Sequence, residues 1–262
     1  MNILITGGSG MVGTFITPYL TKKHNVTVFD IAPPKHDNVK FIQGSMLEPN
    51  DIEKALDGID AFVNVTMKSP QGGSQTTQDI TQIKENYELN NLGLHLFLYK
   101  AQETGVMRGV HTSTMSVHYR KRSYYQAEEH TQLDSPSVYG LTKGFGELIC
   151  QYFATWFDMN IIALRITGPR PRDRWLEERE NSDHKYAAKA PGGVGLFWLT
   201  DEEDLANAYL GGLEAVKNGH GRFDSIFIAA DPDHEEHNLS KAKRILNWEP
   251  QTHKKYPKKG EK

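Results

Sequence analysis

The chain has 262 residues, with 30 basic against 33 acidic side chains and a net charge of −3, a balance that excludes a nucleic-acid-binding surface. Its single cysteine, Cys150, excludes an intrachain disulfide and fits a reducing compartment. No stretch approaches the ~18 apolar residues of a membrane span, and the chain starts on an apolar run without a signal-peptide pattern. A cytoplasmic protein of one large domain or two fused lobes is expected.

Residues 1–6 (MNILIT) read as a strand and residues 14–23 as a helix, joined by Gly7-Gly8-Ser9-Gly10-Met11-Val12-Gly13. Strand, glycine turn and helix come in the order of a dinucleotide-binding unit. The glycines fit either Gly7-x-x-Gly10-x-x-Gly13 or Gly8-x-Gly10-x-x-Gly13. One permits the tight turn, a second lets the backbone approach a pyrophosphate, and Gly13 lets the helix lie close to the strand. Gly7, Gly10, Met11, Val12 and Gly13 are therefore candidate cofactor-binding residues, at a helix N-terminus whose N–H groups suit phosphates. The next strand, residues 25–30 (NVTVFD), ends in Asp30, about 20 residues past the glycines, where a carboxylate holds adenosine ribose hydroxyls. An acid there repels a 2′-phosphate and no Arg follows closely, so the expected cofactor is NAD rather than NADP.

Further along, residues 39–42 read as a third strand and 48–56 as a helix with Asn50 as a cap. A fourth strand follows at 60–65, then a Ser-, Gln- and Gly-rich mobile loop at 66–77. One long helix is predicted over 80–103, closed by Gly105, and a fifth strand over 110–114. After a polar loop at 120–134, Ser135-Pro136 reads as a helix start, and the helix runs to 157. A sixth strand spans 161–166. Residues 170–195 are highly charged and irregular, with a turn at Pro191-Gly192-Gly193; a helix (201–216), a strand (224–230) and a short helix (238–246) close the pattern. Strands alternating with helices at this spacing predict an α/β fold of Rossmann type, a doubly wound parallel sheet with a small C-terminal substrate lobe. The expected division is 1–164 for the NAD-binding domain and 165–262 for the lobe intertwined with it.

Tyr139 and Lys143 lie four residues apart on the predicted helix and so share one face. Hydride transfer at a carbinol needs a base for the hydroxyl proton, and a phenol, with an ordinary pKa of about 10, becomes one when a nearby ammonium favours the phenolate. The fifth strand ends in Thr112-Ser113-Thr114 at the C-terminal edge of the sheet, where open α/β folds bind ligands. A hydroxyl there can orient a substrate oxygen toward Tyr139. His111, His118 and His130 lack metal spacing and read as ordinary strand and loop residues, so no metal is expected.

Together these features resemble the extended short-chain dehydrogenases, the NAD-dependent epimerase/dehydratase group. Asn90-Asn91-Leu92-Gly93 is similar to its Asn-Val-x-Gly, Val110 to Val117 to its Ser/Thr-bearing strand, and Leu164-Arg165 to Gly168-Pro169 to its Leu-Arg to Gly-Pro element. Glu203-Asp204-Leu205-Ala206 and Leu246-Asn247-Trp248-Glu249-Pro250 resemble two further motifs near its C-terminus. The chain departs from the family at Gly44-Ser45, where Gly-Asp is usual, and at His118-Tyr119, where Tyr-Gly is usual. The resemblance implies catalytic roles for Thr114, Tyr139 and Lys143, with Lys143 also holding the nicotinamide ribose, on a sugar or nucleotide-sugar substrate. It points to Asn90, Arg172 and Arg174 as substrate residues. The short C-terminal part resembles the uronate dehydrogenase branch, which oxidises a sugar acid to its lactone; Arg165, Arg170, Arg172 and Arg174 would suit a carboxylate. A non-catalytic dinucleotide sensor is the alternative from another class. The resemblance also implies a homodimer through the helices at 80–103 and 136–157, with Leu92, Leu96, Phe145, Leu148, Phe153 and Trp156 as candidate interface residues.

Overall fold

Ile3 and Ile5 point to one side of β1 (Asn2–Thr6) and Leu4 to the other, and all three are fully buried. A strand apolar on both sides belongs inside a sheet covered on both faces. The computed structural model, which describes residues 1–68, 79–118, 122–189 and 196–258, shows that arrangement. After β1 come α1 (Met11–Leu20), β2 (Asn25–Asp30), β3 (Lys40–Gln43), α2 (Pro49–Leu56) and β4 (Ala61–Asn64). Then follow α3 (Ile80–Tyr87), α4 (Leu94–Glu103), β5 (Arg108–Thr114), α5 (Val138–Trp156) and β6 (Asn160–Ile166). The later part holds β7 (Pro169–Arg170), α6 (Arg172–Glu180), β8 (Ala187–Lys189), β9 (Leu196–Trp198), β10 (Thr200–Asp201), α7 (Glu202–Asn218), β11 (Phe223–Ile228), α8 (Ser240–Leu246) and α9 (Thr252–Lys255).

Seven parallel strands lie in the order β11-β6-β5-β4-β1-β2-β3. The chain moves outward from β1 to β3, returns to β4 on the other side of β1, and continues outward. This Rossmann order puts the switch point between β1 and β4, where a crevice opens at the C-terminal strand ends. One face is covered by α1, α7 and α8, with Val12, Ile16, Leu205, Tyr209 and Leu213 in its core. The other is covered by α2, α4 and α5, with Ile52, Phe97, Leu98, Cys150 and Phe153. β11 and α7, late in the chain, thus complete the sheet rather than standing apart from it.

Several elements differ from expectation for local physical reasons. The helix predicted over 80–103 is interrupted by a π segment, Glu88–Gly93. The wider turn brings two consecutive residues onto one partner: Asn90 Nδ2 donates to Thr142 Oγ1 at 3.1 Å and Asn91 Nδ2 to Thr142 O at 2.8 Å. Asn50 caps nothing, because α2 already begins at Pro49. Ser137, not Ser135, caps α5, its hydroxyl accepting from Gly140 N at 3.1 Å. The stretch expected to be irregular contains α6, tied by Arg179 and Trp175 to backbone carbonyls of Lys185 and Leu199. Near the C-terminus two sequence motifs lock onto each other: Trp248 Nε1 donates to Asp204 O, and the Asp204 carboxylate accepts from Gln251 N and Thr252 N. Most of the expected 66–77 loop, the Pro191-Gly192-Gly193 turn and Tyr119 lie outside the described residues.

Candidate active site

The glycine turn is shaped by two contacts. Gly7 has φ +73°, and a Cβ on it would stand 2.6 Å from Thr66 Cα and 2.8 Å from Thr66 Oγ1. Gly13 packs against the turn itself rather than the strand, since a Cβ there would lie 2.4 Å from Gly8 Cα. Gly10 caps α1 without a side chain, and no acid stands among the described residues of the helix's first turn. The N–H groups of Met11 and Val12 therefore meet no carboxylate from the helix's own first turn. Beside the turn, Thr66 Oγ1 is buried without a hydrogen-bond partner among the described residues. At the end of β2, the Asp30 carboxylate accepts from Ser9 N at 3.0 Å and Ala32 N at 3.2 Å. Each oxygen keeps a second acceptor site, so Asp30 braces the turn and still offers lone pairs to hydroxyls. A narrow cradle, an uncapped helix end, an unpartnered hydroxyl and a carboxylate fit a dinucleotide.

Three strands along from β2, Thr114 ends β5, its Oγ1 accepting from Ser116 N at 3.1 Å, which leaves the hydroxyl proton to donate. Tyr139, Lys143 and Glu147 follow one another along the inner face of α5 and are all buried. The Tyr139 hydroxyl reaches Met67 Sδ at 3.4 Å. Lys143 is 1% exposed, and burial pushes its ammonium down to about 8. Its Nζ lies 3.4 Å from His111 Nε2.

The expected substrate residues are placed differently. Asn90 is buried; its amide oxygen accepts from Lys68 N at 2.8 Å, and its nitrogen donates to Asn86 Oδ1 and Thr142 Oγ1. It ties the loop after β4 to α3 and α5 and so positions the wall of the site. Arg172 donates to Asp201 at 2.5 and 2.8 Å and to Glu203 at 3.1 Å, with Tyr256 over its plane. Arg170 and Arg174 share Glu178. Arg165 lies under the sheet edge in a two-pronged pair with Glu147, at 2.9 and 2.6 Å. The four guanidinium groups hold the fold's own carboxylates, and the fork expected for a substrate carboxylate is already occupied.

Four residues with a place around the site escape a reading of the sequence. Glu147 also accepts from Ser113 Oγ at 2.5 Å. His118 Nδ1 donates to Gln132 O at 2.6 Å and its Nε2 accepts from Arg165 at 3.2 Å; burial pushes the ring down to about 4, so it is neutral there. Asn64 and His111 stand opposite each other on β4 and β5, joined at 3.3 Å. The available signal was a polar residue closing the otherwise apolar β4 and a histidine within β5, at positions that the register makes neighbours.

Comparison with known proteins agrees with this geometry. The family described as NAD dependent epimerase/dehydratase matches residues 3–175. The uncharacterized UDP-glucose epimerase YtcB of Bacillus subtilis (strain 168) is 25% identical over 303 residues, covering 96% of this chain and 94% of that protein. A 3β-hydroxysteroid dehydrogenase/Δ5→4-isomerase of Mycobacterium tuberculosis (strain CDC 1551 / Oshkosh) is 34% identical over 120 residues, 44% of this chain and 32% of that protein. The chain thus spans about a third of the length of that relative, and 36% of protein y4nG of Sinorhizobium fredii (strain NBRC 101917 / NGR234). Among solved structures, UDP-glucose 4-epimerase from Brucella ovis in complex with NAD superposes with a TM-score of 0.76 at 16% identity, covering 95% of this chain and 93% of that one. A mutated uronate dehydrogenase does so with a TM-score of 0.73 at 18% identity, covering 95% and 81%. At these identities the structures share the fold. The match over residues 3–175, together with the glycine turn and the inner face of α5, shows that the chain belongs to the NAD-dependent epimerase/dehydratase family.

Proposed function

We propose that this protein is an NAD-dependent oxidoreductase acting at a carbinol carbon of a sugar or nucleotide sugar. The observation that carries the reading is the buried pair Tyr139 and Lys143 on α5, one helical turn apart, in the same fold as an uncapped glycine turn and the Thr114 hydroxyl at the sheet edge. Met11 and Val12 would hold the pyrophosphate through their N–H groups, Asp30 the adenosine ribose, and Lys143 the nicotinamide ribose. Bound NAD supplies the hydride acceptor. Thr114 donates to the substrate oxygen and orients it, and Tyr139 takes the hydroxyl proton as base. Lys143, when charged, favours the ionised phenol. The substrate lobe would come from the parts of residues 165–262 that lie outside the sheet-completing α7 and β11.

Full-length relatedness to a UDP-glucose epimerase supports a sugar substrate. Incubation with NAD and a panel of nucleotide sugars and free uronic acids tests the reading, with reduced nicotinamide read by absorbance and product sugars separated to detect net epimerisation. Turnover of a sugar is expected; tight NAD binding without turnover of any sugar points instead to a sensor. Calorimetry should show NAD binding more tightly than NADP, and Asp30→Ala weakening NAD by about 1–3 kcal/mol. A uronate dehydrogenase is the second reading. It rests on Arg174, which is 63% exposed and shares Glu178 with Arg170, and so has the least to lose by turning to a substrate carboxylate. Under it, only uronic acids react, and Arg174→Ala raises their KM.

We also propose a homodimer. Leu141, Phe145, Leu148, Tyr152 and Trp156 repeat along the outer face of α5 and are exposed, as are Ile80, Ile83 and Tyr87 on neighbouring α3. Such a continuous apolar stripe suits a second copy. Of the expected interface residues, Phe153 is fully buried in the sheet core and Leu96 packs against it, so both fall outside the stripe.

A further inference from the structure

Thr6, Asn64 and His111 sit side by side on three neighbouring parallel strands, and their side chains form a chain that ends on Lys143. The position of each proton follows from what each group can donate. A backbone N–H only donates, so the Asn64 atom 2.9 Å from Thr66 N is the amide oxygen, which also accepts from Thr6 Oγ1 at 2.8 Å. The amide nitrogen, which only donates, therefore faces His111 Nδ1 at 3.3 Å. Nδ1 must then be the bare, accepting nitrogen. Burial holds His111 well below the usual histidine range, so the ring is neutral and carries its one proton on Nε2. That N–H faces Lys143 Nζ at 3.4 Å.

An ammonium has only donors to offer an N–H; an amine has a lone pair and accepts from it. The other titratable groups around Lys143 do not reverse this preference. Cys150, on the same helix, stays a thiol because burial pushes it up. Glu147, one turn on, favours the ammonium, but its carboxylate is bound by Arg165 and Ser113. Tyr139, one turn back, is the group the ammonium is needed for.

We propose that Asn64 and His111 are positioning residues that hold an imidazole N–H against Lys143, so that His111 favours the amine form of the lysine over the ammonium, while the protonated lysine turns its N–H groups toward Tyr139. The inference builds on the reading of Tyr139 and Lys143 as the proton-transfer pair. It assigns the pH window of that pair to a histidine tautomer fixed by Asn64 on the neighbouring strand.

Long-range proton–nitrogen NMR on histidine-labelled protein tests it without any turnover, because the two ring nitrogens of each tautomer resonate far apart. His111→Gln identifies the His111 signals by their loss. A bare Nδ1 and a protonated Nε2 at neutral pH are expected, and a protonated Nδ1 would overturn the proposal. Asn64→Asp should reverse the tautomer, since a carboxylate accepts from Nδ1–H and leaves Nε2 to accept from the ammonium. In that variant the alkaline limb of the kcat profile should move up by about one pH unit or more. An unmoved limb with a reversed tautomer would sink the link between His111 and Lys143. Should Asn64→Asp fail to fold, the tautomer in the unmodified protein decides. That readout is independent of whether a sugar is the substrate.

Discussion

The two faces of α5 invert the usual pattern of a surface helix. The inner face buries Tyr139, Lys143 and Glu147, while the outer face exposes Leu148 at 52% and Trp156 at 74%. Each face is costly alone: buried charge loses hydration, and exposed apolar surface orders water. The inner face answers the cost within the chain, through Arg165 on Glu147 and His111 on Lys143. Among the described residues, Leu148 and Trp156 on the outer face stay largely exposed, which is the physical basis for expecting a second copy there. On this helix, polarity appears on the side where it costs most.

The largest expected effect breaks the inner face. Glu147→Gln leaves Arg165 charged without a counter-charge in a dry site, which should cost about 3–5 kcal/mol by urea unfolding. A loss below about 1 kcal/mol would mean that Arg165 reaches water after all.

Lys143 sharpens the same point with the opposite sign. Its folded pKa, about 8, lies below its ordinary 10.5, so on acidification through that window the unfolded chain takes up the proton first and stability falls. Lys143→Met removes this penalty and should stabilise the protein on the order of 2–3 kcal/mol at neutral pH while abolishing activity. A destabilised variant would show that the amine's bond to His111 outweighs its burial.

A smaller effect comes from the neutral histidine below the ion pair. His118 is lowered to about 4 from 6.5, so its contribution to stability is complete above 6.5 and is lost as pH falls toward 4. His111, His220 and His253 are lowered by burial too, and unfolding midpoints should fall steeply through that window. His118→Gln keeps an acceptor for Arg165 and should lessen the slope by at most about 1.4 kcal/mol per pH unit. An unchanged slope would mean that His118 becomes charged in the fold.

The outer face should respond least in stability and most in mass. Leu148→Lys with Trp156→Lys should change the unfolding free energy of a protomer by no more than about 0.5 kcal/mol. Light scattering should show the variant as a monomer and the parent as a dimer; a parent that is monomeric throughout micromolar concentrations would contradict the interface.

The sheet was legible in the sequence because alternating strands, glycine turn and Asp30 are local signals, each within a few residues. Tyr139 and Lys143 were legible for the same reason, being one helical turn apart. The polar rung of Thr6, Asn64 and His111 was not, since its members come together only through the register of three strands. The partners of the arginines were not legible, because a cluster of like charge looks the same whether its carboxylates are supplied by a substrate or by Glu147, Glu178 and Asp201. The break in the helix at Glu88–Gly93 was hidden because both halves carry ordinary helical sequence, and only the pull of Thr142 on two successive asparagines distinguishes them.

The central claim is that the inner face of α5 transfers a proton through Tyr139. Tyr139→Phe keeps the ring and its packing and deletes the hydroxyl. With any substrate found for the parent, kcat should fall by about 10²–10⁴ while the calorimetric affinity for NAD stays within about twofold. Turnover at the parent rate would contradict the account.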